Sequence, residues 1–130
     1  MTIPVDDAAL AGLRVLVVED MLLVAEMIAD LLTGLGVEVV GPVGRLAPAL
    51  AAAGESRLDG ALLDVNLGGE SSWPVAAALR GRGIPFVFLT GYGDPDALPE
   101  DFRATPRLVK PFRQEDLIAA MAEQFRPACG

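Results

Sequence analysis

Four stretches of the chain set reactive side chains directly after apolar runs. Glu19-Asp20 follows Val15-Leu16-Val17-Val18, Asp64 follows Ala61-Leu62-Leu63, Thr90 follows Phe86-Val87-Phe88-Leu89, and Lys110 follows Leu108-Val109. Three carboxylates brought together without a counter-ion repel one another, which raises a pKa or recruits a cation. The chain contains no histidine, and its one cysteine, Cys129, stands beside the C-terminus. Imidazole catalysis, Ser-His-Asp chemistry, most transition-metal sites, an internal disulfide and a thiolate cage are therefore excluded. What remains is carboxylate, hydroxyl, lysine and arginine chemistry, and carboxylates favour hard cations such as Mg²⁺. Mg²⁺ held by Glu19, Asp20 and Asp64 would keep several waters and serve a phosphate-handling site. Lys110 adds a mobile point charge suited to a phosphate oxygen, and Thr90 adds a hydroxyl donor. Together these parts fit an aspartate that accepts a phosphoryl group while metal and ammonium stabilise the charge in transfer.

Such a set works only if the fold brings it to one edge, and the apolar pattern says how. Arg14–Val18 is a continuous apolar run typical of a strand buried on both faces. Met21–Leu35 carries apolar residues at helical spacing and closes at Gly36. Val37–Val40 reads as a second strand, Arg45–Ala53 as an Ala/Leu-rich helix, and Gly60–Leu63 as a third strand leading to Asp64. Trp73–Arg80 reads as a helix whose start Trp73 anchors, Pro85–Leu89 as a fourth strand, Arg107–Val109 as a fifth, and Gln114–Phe125 as the last helix. Between Gly91 and Phe102 the pattern weakens, because Gly93, Pro95 and Pro99 shorten or break a helix there. Five strands alternating with about five helices imply an α/β domain with a doubly wound, five-stranded parallel sheet covered on both faces. Ligands of such sheets bind beyond the carboxyl ends of the strands. Strands one, three, four and five end in the polar set, whereas strand two ends in Val40-Gly41-Pro42.

Composition sets the outer bounds. The chain has 130 residues, 52% of them apolar, enough for one domain with a substantial core. Ten Lys+Arg against eighteen Asp+Glu give a net charge of −8, and the pI is near 4.3. No basic stripe is visible, so nucleic acid is not an expected partner. No apolar run approaches the roughly 18 residues that span a bilayer, and the first residues lack the pattern of a secretory signal. A cytoplasmic domain without membrane contact is expected. The mean hydropathy of +0.45 leaves room for a homodimer through the last helix and fifth strand.

Taken together, Val17-Val18-Glu19-Asp20, Leu62-Leu63-Asp64-Val65-Asn66, Phe88-Leu89-Thr90-Gly91 and Val109-Lys110-Pro111-Phe112 resemble the motifs of a response-regulator receiver domain, in the right order and each at a strand end. The resemblance covers residues 13–126, leaving 1–12 as an N-terminal extension and 127–130 as a tail, with no output domain. It implies a flavodoxin-like strand order 2-1-3-4-5 and Asp64 as phosphoacceptor. It also implies Glu19 and Asp20 as the acidic metal pair, the Asn66 backbone carbonyl as a further Mg²⁺ ligand, and Mn²⁺ as a substitute ion. Thr90 would move toward the phosphoryl oxygen, Lys110 would pair with the phosphoaspartate, Gly91 would leave room for phosphoryl access, and Lys110-Pro111 is a candidate cis peptide. The chain departs from the family at Arg107, three positions before the lysine, where an aromatic switch residue is usual. Its Phe86-Val87-Phe88-Leu89-Thr90-Gly91-Tyr92 stretch is similar to the Phe-x-Thr-Gly-Tyr signature of stand-alone bacterial receivers, which puts Tyr92 forward as the replacement. Those receivers are associated with histidine kinases of the HWE type and with multi-step phosphorelays, so a histidine kinase or a histidine phosphotransferase is the implied partner.

Plainer roles compete for the same residues. Glu19-Asp20 could cap the following helix, Thr90 could be a turn residue, Tyr92 could pack in a loop, and Arg107 could form a surface ion pair or meet a partner. At the level of function, the leading expectation is a phosphorylation-dependent switch or phosphoryl shuttle rather than an enzyme acting on others. A haloacid-dehalogenase-like phosphatase shares the Asp, Thr, Lys and Mg²⁺ chemistry. Its nucleophile, however, ends the first strand in an Asp-x-Asp pair, and here Asn66 stands at the second acid's place. A phosphorylation-independent interaction module is the third reading.

Overall fold

The computed structural model describes residues 10–91 and 99–125. Five parallel strands, β1 (Arg14–Val18), β2 (Glu38–Val43), β3 (Gly60–Asp64), β6 (Phe86–Thr90) and β7 (Arg107–Val109), form a sheet in the order β2-β1-β3-β6-β7. This is the 2-1-3-4-5 order expected, once the short strands β4 (Asn66–Leu67) and β5 (Glu70–Ser71) are set aside as a separate antiparallel hairpin. Helices α1 (Leu22–Gly34) and α4 (Gln114–Gln124) cover one face, and α2 (Leu46–Glu55) and α3 (Trp73–Gly81) the other. Four α-helices are thus present among the described residues, not about five. Of the weakly patterned stretch before β7, Glu100–Phe102 forms a 3₁₀ turn.

Alternation along the strands divides the core. Leu16, Val18, Leu63, Phe86 and Phe88 point toward α2 and α3. Val15, Val17, Leu62, Val87 and Leu89 point toward α1 and α4, where Ile28, Leu32, Leu117 and Met121 meet them. Strands β3 and β6 are buried along their whole length, as parallel strands covered on both sides must be. Leu10, ahead of the boundary expected at residue 13, is buried in the second cluster beside Leu13, and the Gly12 N–H donates to the Gly36 carbonyl at 2.8 Å.

Strand β2 runs three residues beyond the expected Val40. A Gly-Pro step usually ends a strand, but β2 lies at the sheet edge, where a missing proline N–H is tolerated. Gly41 adopts φ +98°, and a Cβ there would stand 2.8 Å from the Val43 nitrogen, so only glycine carries the chain across the irregularity. The detour brings the Val43 carbonyl to the Glu19 N–H at 2.9 Å and so helps to fix the residue that follows β1.

Candidate functional site

Parallel pairing aligns the strand ends that carry the polar set. Val18 lies opposite Leu63, Asp64 opposite Leu89, and Thr90 opposite Val109. Glu19 and Asp20 leave β1 at the same rim, and Lys110 follows β7. One carboxylate oxygen from each of Glu19, Asp20 and Asp64 lies within 4.8 Å of the others, Glu19 and Asp64 buried and Asp20 exposed. The Lys110 ammonium reaches between two of them, 2.5 Å from Glu19 Oε1 and 3.2 Å from Asp64 Oδ2. The Lys110 backbone N–H donates to the Thr90 carbonyl at 2.7 Å, which anchors the lysine at the end of β6. The Lys110-Pro111 peptide is cis, as expected.

Each acid is held differently. The Met21 N–H donates to Glu19 Oε2 at 3.1 Å. Met21 itself is the N-cap of α1, and no side chain caps the helix, so the capping role weighed for Glu19-Asp20 is not the one they fill. The buried Glu19 Oε1 is met by the Lys110 ammonium at 2.5 Å. The Asn66 N–H donates to Asp64 Oδ1 at 3.2 Å, and the Gly68 N–H donates to Asp20 Oδ2 at 2.9 Å. Burial, and then the neighbouring Glu19 carboxylate, lift the Asp64 carboxyl from 3.8 to about 7 against the opposing pull of Lys110 and the Asn66 N–H. Burial pushes the Lys110 ammonium down, but Glu19 and Asp64 override it and hold the group above its ordinary 10.5. Three acids therefore face one base. The all-oxygen donor set, three carboxylates against one ammonium, and the elevated Asp64 carboxyl fit a hard divalent cation.

The remaining expected residues sort cleanly. Thr90 is buried, and its hydroxyl makes a 3.5 Å contact to the Leu108 carbonyl, the outer limit of a hydrogen bond. Gly91 is exposed, and a Cβ built there meets nothing within 4 Å among the described residues. Arg107 is exposed on β7 opposite Phe88. Tyr92 lies outside the described residues. Trp73 opens α3, stacks on Phe102 at 5.9 Å between ring centroids and meets Phe88 in a T-shaped pair at 5.5 Å. Phe88 and Thr90 share one face of β6, so this aromatic cluster packs on the threonine's side of the sheet.

Two features were not foreseen. The hairpin β4–β5 touches Asp20 through its tip, and its signal in the sequence was the pair Gly68-Gly69, a common two-residue hairpin turn. Exposed apolar surface also gathers on α1 more than on the last helix. Met21, Leu22, Leu23 and Met27 are 57%, 69%, 81% and 48% exposed, and Val109 on β7 is 48% exposed. A groove of about 290 Å³ beside them is lined by Met21, Val24, Met27, Lys110, Pro111 and Phe112. Among the described residues no helix is long and apolar enough to cross a membrane.

Comparison with known proteins agrees with this geometry. Residues 15–122 match the family described as Response regulator receiver domain. The solution structure of SdrG from Sphingomonas melonis Fr1 is 47% identical with a TM-score of 0.76, covering 88% of this chain and 95% of that one. The receiver domain of sensor histidine kinase PA1611 from Pseudomonas aeruginosa PAO1, solved with a magnesium ion coordinated in its active site cleft, is 28% identical. Its TM-score is 0.70, over 87% of this chain and 97% of that one. The DNA-binding response regulator MtrA of Mycolicibacterium paratuberculosis is 34% identical over 116 residues, 87% of this chain and 51% of its own. The chain thus spans about half the length of the MtrA proteins it matches.

Proposed function

The chain belongs to the response regulator receiver family, and we propose that Asp64 is its phosphoacceptor, charged by the phosphohistidine of a partner protein. In that transfer the P–N bond to the donor imidazole breaks as a P–O bond to an Asp64 carboxylate oxygen forms, and the released imidazole takes a proton from water. The observation that carries the reading is the register of the strand ends. It sets three carboxylate oxygens within 4.8 Å of one another and a lysine ammonium 3.2 Å from the central one.

Glu19, Asp20, Asp64 and the Asn66 backbone carbonyl would hold Mg²⁺, which when bound offsets the charge of the acids and of the phosphoryl oxygens. Lys110 pairs with the phosphorylated side chain, as it pairs with Asp64 now. Thr90, whose hydroxyl has only a 3.5 Å contact to give up, turns toward the new oxygens. Gly91 keeps the approach open, and Tyr92 is the switch aromatic in place of Arg107. The partner is a histidine kinase, of the HWE type, or a histidine phosphotransferase, and the apolar face of α1 beside Lys110 offers it a surface next to the acceptor. Added charge at Asp64 biases the surrounding loops between two arrangements, which is the signal passed on. No observation favours the phosphatase or the phosphorylation-independent module.

Incubation with acetyl phosphate followed by intact mass measurement tests the reading. The expected result is a gain of one phosphoryl group that requires Mg²⁺ and is absent in Asp64→Asn. A gain that persists in Asp64→Asn, or no gain together with no beryllofluoride-induced change in Trp73 fluorescence, sinks it.

A further inference from the structure

The loop between β3 and α3 folds back as the hairpin β4–β5, and its tip is tied to two of the three acids. The Asn66 N–H donates to Asp64 Oδ1, while the Asn66 side-chain Oδ1 accepts the Gly69 N–H at 2.8 Å. One residue earlier at the tip, the Gly68 N–H donates to Asp20 Oδ2 at 2.9 Å. A line of hydrogen bonds therefore runs from Asp64 through Asn66 and the hairpin tip to Asp20. Gly68 and Gly69 adopt φ of +61° and +98°, both in the left-handed region that a two-residue hairpin turn of this kind requires.

Asp20 needs such support more than its neighbours do. Glu19 and Asp64 are buried, but Asp20 is exposed, and the Gly68 N–H is the one hydrogen bond to its side chain among the described residues. A free surface carboxylate samples several rotamers and loses that freedom when it takes up a cation. Partners that orient a ligand in advance are a large share of metal affinity.

We propose that the β4–β5 hairpin is a positioning clamp for Asp20, in which the Asn66 side chain holds the tip so that the Gly68 N–H presets the Asp20 carboxylate for a divalent cation. The proposal rests on the Mg²⁺-dependent phosphoacceptor reading. It gives Asn66 a side-chain role distinct from that of its backbone carbonyl, and it makes the hairpin a determinant of how much Mg²⁺ the protein needs. Asn66 and Gly68 are positioning residues that act through Asp20.

Two variants loosen the tip by different routes. Asn66→Ala removes the acceptor for the Gly69 N–H and keeps the backbone carbonyl. Gly69→Ala acts through its backbone alone, because a Cβ there meets no atom within 4 Å while φ is +98°. The whole chain is titrated with Mg²⁺ and followed by Trp73 fluorescence, with exchange of the Gly68 amide measured by NMR. Both variants are expected to bind Mg²⁺ roughly ten-fold more weakly and to expose the Gly68 amide, with the unfolding midpoint of Asn66→Ala near wild type when Mg²⁺ is absent and that of Gly69→Ala lowered by the strain at its φ. Asn66→Ser, which restores a short acceptor, should recover much of the affinity. In acetyl phosphate assays the Gly69→Ala defect should appear as a higher Mg²⁺ requirement, not as a lower rate at saturating Mg²⁺. Affinity within about two-fold of wild type despite an exposed Gly68 amide overturns the clamp. So does a Gly68 amide that stays protected in both variants. A wild-type protein that shows no response to Mg²⁺ overturns the site reading and the clamp together, whereas a responsive wild type with equally responsive variants removes the clamp alone.

Discussion

Strand β1 has an ion pair at each end, and the two pairs differ in almost everything except charge. At its start Arg14 Nε meets Glu38 Oε2 on β2 at 3.1 Å, with side chains 27% and 64% exposed. Just beyond its end Glu19 meets Lys110 at 2.5 Å, with side chains 0% and 18% exposed. The first pair is formed by charges that water would solvate almost as well. The second holds a carboxylate that the sheet has already removed from water, so its attraction is felt through a medium of lower dielectric. Between them Leu16, fully buried, carries no charge at all. Three positions along one strand thus separate packing, buried charge and surface charge.

The middle of the strand should show the largest effect. Leu16→Ala leaves a cavity between the sheet and α2–α3, and a loss of about 3–4 kcal/mol is expected in urea unfolding. Phosphoryl gain per folded molecule should survive, because Leu16 belongs to the apolar cluster beneath α2 and α3 and carries no group of the site. A drop below about 1 kcal/mol would mean that the core collapses around the deletion and that the strand body is softer than its burial implies.

The end of the strand comes second. Lys110→Ala removes the ammonium that meets the buried Glu19 Oε1 at 2.5 Å. The loss should be on the order of 2 kcal/mol, below that of a fully interior pair because the lysine is 18% exposed. Mg²⁺ should restore part of it and still bind. Beryllofluoride should no longer change Trp73 fluorescence, because the group that pairs with the modified aspartate is gone. A variant that switches like the wild type would remove Lys110 from the mechanism.

The contrast between strand bodies and strand ends also explains what could be read beforehand. Asp64, Thr90 and Lys110 were visible because an apolar run that stops at a polar residue marks both a buried strand and its open end. The continuation of β2 through Gly41-Pro42 was hidden, since both residues read as breakers and only the sheet edge makes them tolerable. Asn66–Ser71 escaped because two-residue strands have no period to detect. Helix α1 misled in another way. Leu22 and Leu23 share the helix face of Glu26 and Asp30 and are exposed, while Ala25, Ile28 and Leu32 form the buried stripe, so an apolar composition drew attention away from an acidic face that the spacing did mark.

Proton binding gives a third, smaller effect at the same end of β1. The folded chain holds on Asp64 a proton that the unfolded chain gives up near 3.8, and it keeps that proton up to about pH 7. Between those values the native state binds more protons, so without Mg²⁺ stability should fall as pH rises. Lys110 has no part in this window, because its raised pKa contributes stability that is lost only at alkaline pH, beyond 10.5. After discounting for solvent at the rim, the fall is on the order of 1 kcal/mol. Mg²⁺ competes with the proton, so it should raise the melting temperature more at about pH 8 than at about pH 5. Equal Mg²⁺ stabilisation at both pH values would show that the site carries its full negative charge throughout.

The start of β1 should respond least. Glu38→Gln keeps the shape of the side chain and deletes only the charge that faces Arg14. The Arg14 backbone stays anchored, because its N–H donates to Asp59 Oδ2 at 2.9 Å and that bond does not involve Glu38. A change within about 0.5 kcal/mol is expected, vanishing at high salt, where exposed charges are screened. If Glu38→Gln instead cost as much as Lys110→Ala, burial would not be what distinguishes the two ends. The 2.5 Å pair would then be one more cross-strand tie, not a charge held ready for an incoming phosphoryl group.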